Sequence, residues 1–144
     1  ELEPYLGTWY EVARLDHRFE RGLSNVTATY SLRDDGGVNV VNRGYRADKG
    51  EWDEANGNAF FVDAPDVGRL KVSFFGPFYG AYNVFELGNN YEYSLVAGPD
   101  RSYLWILGRA PELPPKLLDE LIGKAAAAGF DTSELIIVEH DDAR

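Results

Sequence analysis

Turn signals recur at short intervals along the chain: Asp34-Asp35-Gly36-Gly37, Asp48-Lys49-Gly50, Ala64-Pro65-Asp66, Gly76-Pro77, Gly88-Asn89-Asn90 and Gly98-Pro99-Asp100. Gly, Asn and Asp tolerate positive φ and Pro fixes a negative one, so each cluster reverses the chain. The segments between them are rich in Val, Thr, Tyr, Phe and Trp, the rhythm of an antiparallel sandwich or barrel. The pattern predicts eight strands, at Gly7–Leu15, Asn25–Arg33, Val38–Arg46, Glu51–Asp63, Arg69–Phe74, Gly80–Leu87, Tyr91–Ala97 and Tyr103–Arg109. A ninth short run, Leu135–Val138, follows near the end. Val26, Ala28, Tyr30 and Leu32 alternate with Thr27, Thr29 and Ser31, and Leu70, Val72 and Phe74 alternate with Lys71, Ser73 and Phe75. Such period-two patterns mean one buried face and one wet face.

One segment has a different period. Leu117, Leu118, Leu121, Ile122 and Ala125 fall on one stripe at helical spacing. Pro114-Pro115 opens this helix, Lys116–Glu120 and Glu120–Lys124 pair at i,i+4, and Gly129 stops it. There is no internal repeat and no linker, so residues 1–144 read as a single domain. An eight-stranded antiparallel sheet that closes on itself has no edges and is about wide enough for one small ligand, or for its own side chains.

Charge and composition narrow the function. Fourteen basic against 24 acidic side chains leave a net charge of −10. That argues against nucleic acid, whose binding rests on neutralising phosphates, and against adsorption to anionic membranes. The absence of Cys removes disulfides, thiolate metal sites and thiol nucleophiles. No stretch approaches a membrane span, and with no Met and no signal-like segment the chain reads as a mature form or a fragment. Three Trp, nine Tyr and eight Phe are more rings than a helical bundle of this length needs.

Longer motifs carry a resemblance. Gly7-Thr8-Trp9-Tyr10-Glu11-Val12-Ala13-Arg14 is similar to the Gly-x-Trp opening of the lipocalins. Asp16 to Leu23, Val26 to Leu32, Leu70 to Gly80 and Gly98 to Arg109 resemble the bacterial outer-membrane lipocalins and, more distantly, the apolipoprotein D group. The resemblance implies an all-β fold: an eight-stranded antiparallel up-and-down β-barrel, or calyx, with the C-terminal α-helix packed outside and a short final strand. It implies that Trp9 and Arg109 meet as a structural plug at the closed end, a guanidinium on an indole. It also implies a hydrophobic small-molecule ligand, a fatty acid or lysophospholipid, with no cofactor, no metal and no catalysis. The location implied is the bacterial periplasm or outer membrane. Family members are often anchored through an amino-terminal cysteine that is absent here, so membrane association stays open, as does the choice between a monomer and a weak homodimer.

The same likeness puts Tyr30, Asn42 and Trp105 in the cavity, and Gly44 where a relative has an inward carboxylate. That exchange is expected to leave more room, and steroid-like specificity does not carry over. Strand parity adds Ala28, Val40, Ala59, Phe61, Val72, Phe74, Tyr82, Val84, Tyr103 and Leu107 as lining residues. Strands four, six and seven are ambiguous, because the face with Tyr82 and Val84 also carries Glu86, while Asn83, Phe85 and Leu87 are equally apolar. The small residues Ala28, Gly44 and Ala59 are expected to leave space beside Tyr30, Phe74 and Trp105. Parity with Trp9 turns Glu11 inward, where it needs a basic partner.

Signals for other chemistry are poor. His17 reads as a solvated loop residue and Glu139-His140-Asp141-Asp142 as a frayed charged tail. No Gly-x-Ser-x-Gly, phosphate loop or His-Glu-x-x-His motif occurs. Asn25-Val26-Thr27 matches a glycosylation sequon that has no meaning in a bacterial setting. Phe75, Phe78 and Tyr79 form an apolar cluster expected at the open end, a second place for a membrane or dimer contact. The alternative functions are a native or engineered calyx for a synthetic or aromatic ligand such as a fluorogenic dye, a lipocalin-type isomerase, and a module interacting through the barrel exterior.

Overall fold

A computed structural model of the chain describes residues 3–15, 21–62, 69–75 and 78–140, with the backbone alone at 74, 75, 78 and 79. Nine strands form: β1 (Gly7–Leu15), β2 (Leu23–Leu32), β3 (Val38–Arg46), β4 (Glu51–Phe61), β5 (Arg69–Phe75), β6 (Phe78–Leu87), β7 (Tyr93–Ala97), β8 (Leu104–Gly108) and β9 (Leu135–Ile137). Consecutive strands β1 to β8 pair antiparallel, and β8 returns to β1, so the sheet closes into a barrel. His17, Gly76-Pro77 and the side chains of Phe74, Phe75, Phe78 and Tyr79 lie outside what is described.

Four register shifts interrupt the described strand pairing, at β1–β8, β2–β3, β5–β6 (between Val72 and Phe75) and β6–β7, and none shows as a simple alternation. In β1, Glu11 faces Leu107 while Ala13 faces Ile106, so Val12 is the extra residue. Trp9 and Glu11 therefore point inward, Val12 and Ala13 pack outward against the helix, and Arg14 turns back in opposite Trp105. In β2, Ser24 faces Tyr45 and Thr27 faces Arg43, which leaves Asn25 and Val26 opposite Gly44 alone. Asn25 takes a φ of +53° there, a conformation Asn tolerates better than most residues. β2 thus begins at Leu23 rather than at Asn25 and continues through the bulge. In β6, Val84 faces Val96 but Glu86 faces Leu95. This bulge resolves the ambiguity of strand six: Tyr82, Val84 and Leu87 line the interior, while Glu86 reaches outward and accepts from Lys124 Nζ at 2.9 Å.

Strand ends differ from expectation where backbone donors are spent on turns. Tyr91 donates its N–H to Gly88 O at 3.0 Å with φ at +56°, so β7 begins at Tyr93. β8 is likewise shorter than Tyr103–Arg109, since Tyr103 N–H donates to Asp100 O.

The helix α1 (Pro115–Ala127) packs outside, with Leu121 against Val12, Ala13, Leu95 and Ile106, and Ala125 against Leu15, Leu104 and Phe130. Its stop is Gly129, at φ +97°, after which Phe130 N–H reaches back to Ala125 O. Only two edges of β1 exist. β8 takes one, and β2 takes the other as far as Tyr10, after which β9 pairs with Ala13 to Leu15. The tail is consequently docked rather than frayed as far as His140. Asn25 N–H donates to Glu139 O at 2.7 Å, and His140 Nε2 sits 2.8 Å from Glu11 O against the edge of Tyr10.

Candidate ligand-binding site

The closed end of the barrel starts with a single 3-10 turn, Glu3–Tyr5, which lays the Tyr5 ring across the bottom. That ring lies 4.8 Å from Trp9 and 5.7 Å from Tyr30, centre to centre. Trp9 Nε1 donates to the Tyr5 carbonyl at 2.7 Å, so the buried indole satisfies its one polar atom. On the other side of Trp9, the Arg109 guanidinium sits 3.8 Å from the ring centre. It donates to Pro4 O at 2.7 Å, Thr8 O at 3.0 Å and Tyr91 O at 3.3 Å, which ties three chain segments under the floor. Its own partial burial lowers its pKa, against which the nearby Tyr5 hydroxyl acts.

Above Trp9 the floor is polar at its centre. Tyr82 Oη lies 2.7 Å from Tyr5 Oη and 2.9 Å from Tyr30 Oη, and Tyr5 Oη lies 3.0 Å from Ser94 Oγ. Burial raises the pKa of Tyr5 and, more strongly, that of Tyr82, beside which Tyr30 and Tyr5 add to the effect.

Buried apolar side chains surround that centre: Val38, Val40, Ala59, Val96 and Leu107. Higher up, residues that face inward by their pairing keep part of their surface open. Ala28 faces Asn42, Val72 faces Gly80, Val84 faces Val96 and Val96 faces Trp105, and Ala28, Asn42, Val72, Val84 and Trp105 are all only half-buried. A Cβ placed on Gly80 would meet no atom within 4 Å. These half-buried side chains stand above a floor in which Tyr5, Tyr30, Val40, Ala59 and Leu107 are buried. Tyr103 and Trp105 stack in the wall, 6.1 Å apart at an interplanar angle of 26°.

One charged pair is built into the β1 wall. The bulge brings Arg14 Nη1 to 3.2 Å from Glu11 Oε1, both almost fully buried, and Arg14 Nη2 also donates to Leu23 O at 3.4 Å. Glu11 therefore has the basic partner its inward position demands. With so little exposed surface the pair is part of the wall and offers no charge to a ligand.

These features belong together in one known architecture. The family described as a lipocalin-like domain matches residues 1–140. The chain is a lipocalin. It is 58% identical over 139 residues to outer membrane lipoprotein Blc of Escherichia coli, covering 96% of this chain and 78% of that protein. It is 31% identical over 147 residues to bovine apolipoprotein D, covering 96% of this chain and 76% of that protein. Among solved structures, apocrustacyanin C2 shares the fold at a TM-score of 0.80 and 15% identity, over 99% of this chain and 81% of that one. Lipocalins as a family generally bind small hydrophobic molecules rather than catalyse reactions.

Of the lining residues read from sequence, Ala28, Tyr30, Val40, Ala59, Val72, Tyr82, Val84, Trp105 and Leu107 gather in or against one inner cluster. Asn42 faces Ala28 and Phe61 faces Leu70, which puts both on the inner side. The role expected of the small residues needs correcting. Gly44 makes no room, since a Cβ there would come within 2.9 Å of Leu23 Cδ1 and 3.3 Å of Val26 Cγ2, side chains that the β2 bulge folds over it. Ala59 is likewise packed into the floor, at 4% exposure. Gly80, by contrast, has no atom within 4 Å of where a Cβ would stand.

Tyr5, Ser94, Leu70, Leu87 and Gly80 escaped the sequence reading. For Leu70, alternation with Val72 was sufficient signal. Ser94 and Leu87 depend on the β6 bulge, and Tyr5 on a turn lying outside every strand. Among the described residues no group of His, Asp and Glu is placed to hold a metal, and no helix is long and apolar enough to cross a membrane.

Proposed function

We propose that this lipocalin binds and carries a fatty acid or lysophospholipid in its barrel, without covalent chemistry. The observation that carries the reading is the half-open inner wall of Ala28, Asn42, Val72, Val84, Tyr103 and Trp105 above a buried floor of Tyr30, Val40, Ala59 and Leu107. Phe61 and Tyr82 join wall and floor. Burial of an acyl chain is driven by about 25 cal/mol per Å² of apolar surface, before the cost of binding is subtracted. By kinship with proteins named for the outer membrane, we place its work at the periplasmic face of that membrane. Titration with a long-chain fatty acid or lysolipid, read by tryptophan emission and by melting temperature, tests the reading. Saturable change in both supports it, and no change in either refutes it.

A flat aromatic ligand is the second reading. The stacked, half-exposed faces of Tyr103 and Trp105 favour it. A fluorogenic dye that lights up on the protein and goes dark with Trp105→Ala or Ala28→Trp would support that choice. Light scattering over a range of concentrations separates a monomer from a weak homodimer.

A further inference from the structure

β3 and β4 pair without a register shift from Val38–Ala59 at the floor to Arg46–Glu51 at the opposite end of the barrel. Alternation therefore holds over the whole length of this hairpin. Val38, Val40 and Ala59 are buried in the floor cluster, so the same faces carry Asn42, Gly44 and Arg46 on β3, and Ala55, Asp53 and Glu51 on β4. The inner surface thus passes from apolar at the floor to charged at the mouth. Described pairing of β4 with β5 stops at Asn58 and Ala55 is exposed, so solvent reaches the inner face just below the charged residues.

Arg46 and Asp53 meet across this rim. Arg46 Nε donates to Asp53 Oδ2 at 2.9 Å, and Nη2 lies 2.7 Å from the same oxygen. Two nitrogens on one oxygen leave Arg46 Nη1 and Asp53 Oδ1 outside the pair, unlike a fork-to-fork contact that occupies both oxygens. The two side chains keep 24% and 43% of their surface exposed, so a solute reaches both. A pair this exposed contributes little to stability. Glu51, exposed and opposite Arg46, adds a second negative charge on the same face.

A single-chain lipid seated in the barrel ends at this rim. A headgroup with one negative charge finds a single cation there, already paired, beside two carboxylates. The net charge of −10 on the whole chain adds to that cost. A headgroup carrying phosphate and ammonium together suits the rim better. Its phosphate accepts from Arg46 Nη1, and its ammonium donates to Asp53 Oδ1 or to Glu51.

We propose that Arg46 and Asp53 form a headgroup site at the mouth that selects lipids bearing a phosphate and an ammonium over lipids of net negative charge. This rests on the proposed binding of lipid in the barrel.

Lauroyl lysophosphatidylethanolamine and lauroyl lysophosphatidylglycerol share an acyl chain and a phosphate, and only the first carries an ammonium. Calorimetric titration with each, below the micelle concentration and at low salt, measures the site directly. The ethanolamine lipid binds about tenfold more tightly, the effect of one charge-assisted contact at a half-exposed position. Asp53→Asn removes both the partner of the ammonium and a charge that repels the anion, so the ratio of the two dissociation constants loses most of that tenfold. Arg46→Gln weakens both lysolipids about tenfold, through the phosphate they share. A rim that is only structural would move both affinities together and leave the ratio unchanged in Asp53→Asn. That result overturns the site, as do equal affinities in the wild-type protein or unchanged affinities in Arg46→Gln. If the lysolipids and dodecanoate all fail to bind, the lipid reading itself fails. If dodecanoate alone binds, the headgroup site falls and that reading stands.

Discussion

Arg109→Ala removes the tie beneath the barrel floor, and its cost follows from the contacts. The guanidinium lies 3.8 Å from the Trp9 ring centre. Such a cation–π contact contributes about 1–2 kcal/mol when partly desolvated. Its bonds to Pro4, Thr8 and Tyr91 carbonyls run from 2.7 to 3.3 Å. For a half-exposed donor these add about 2 kcal/mol together. Holding the side chain in one rotamer returns about 1 kcal/mol. The net loss is therefore about 2–3 kcal/mol, which for a domain of this size lowers the melting temperature by about 7–10 °C. Arg109→Lys keeps the charge but has no planar fork, so it reaches one carbonyl at best and forfeits more than half of that stability. Thermal unfolding followed by circular dichroism, at one protein concentration and one pH, measures both variants. If Arg109→Ala melts within 2 °C of wild type, the stacked guanidinium is not a structural tie. If only Ala is destabilised and Lys is not, charge rather than geometry holds the floor.

Other outcomes follow from the same geometry. Glu11→Gln leaves the Arg14 charge almost fully buried beside a neutral partner, and urea denaturation should show a loss of about 3 kcal/mol; a loss under 1 kcal/mol would mean the pair is dispensable. Trp105→Ala should weaken lipid binding about tenfold, because a half-exposed wall ring is lost, while moving the melting temperature little; unchanged affinity would take Trp105 out of the wall. Tyr5 and Tyr82 hold their protons more tightly folded than their ordinary value of 10.0, so the stability they confer is complete below that pH and drains away as pH rises above it. Melting temperatures between pH 9 and 11 should fall less steeply in Tyr82→Phe than in wild type, and parallel slopes would contradict this.

The positions of β1 and β3 were legible to the residue, β3 because the turn clusters at Asp34–Gly37 and Asp48–Gly50 bound it, and β1 from the run that follows Gly7-Thr8-Trp9. The helix was equally plain, because its stripe at Leu117, Leu121 and Ala125 and its stop at Gly129 are local features. Alternation put Tyr30 and Val72 on the apolar faces of their strands, as the pleat fixes alternate side chains without reference to any neighbour, and the resemblance added Tyr82 and Trp105; all four share one inner cluster. Parity also turned Glu11 inward and demanded a cation for it. What parity could not supply was the identity of that cation.

Bulges mark the limit. An extra residue at Val12 flips the face of everything after it in β1, and this alone brings Arg14 in to Glu11. The bulge after Val84 sends Glu86 out to Lys124, although Glu86 shares a two-residue rhythm with Tyr82 and Val84. The bulge at Asn25 and Val26 fills the space that Gly44 was expected to leave. A bulge records a mismatch between two strands as the barrel closes, so it is a property of pairs and not of one segment. The alternation along the chain determined an eight-stranded container with an aromatic interior. Only the pairing of strands as the sheet closed decided which small residues leave room, which charges neutralise each other and which hydroxyls meet at the floor, the last of these 52, 77 and 89 residues apart in sequence.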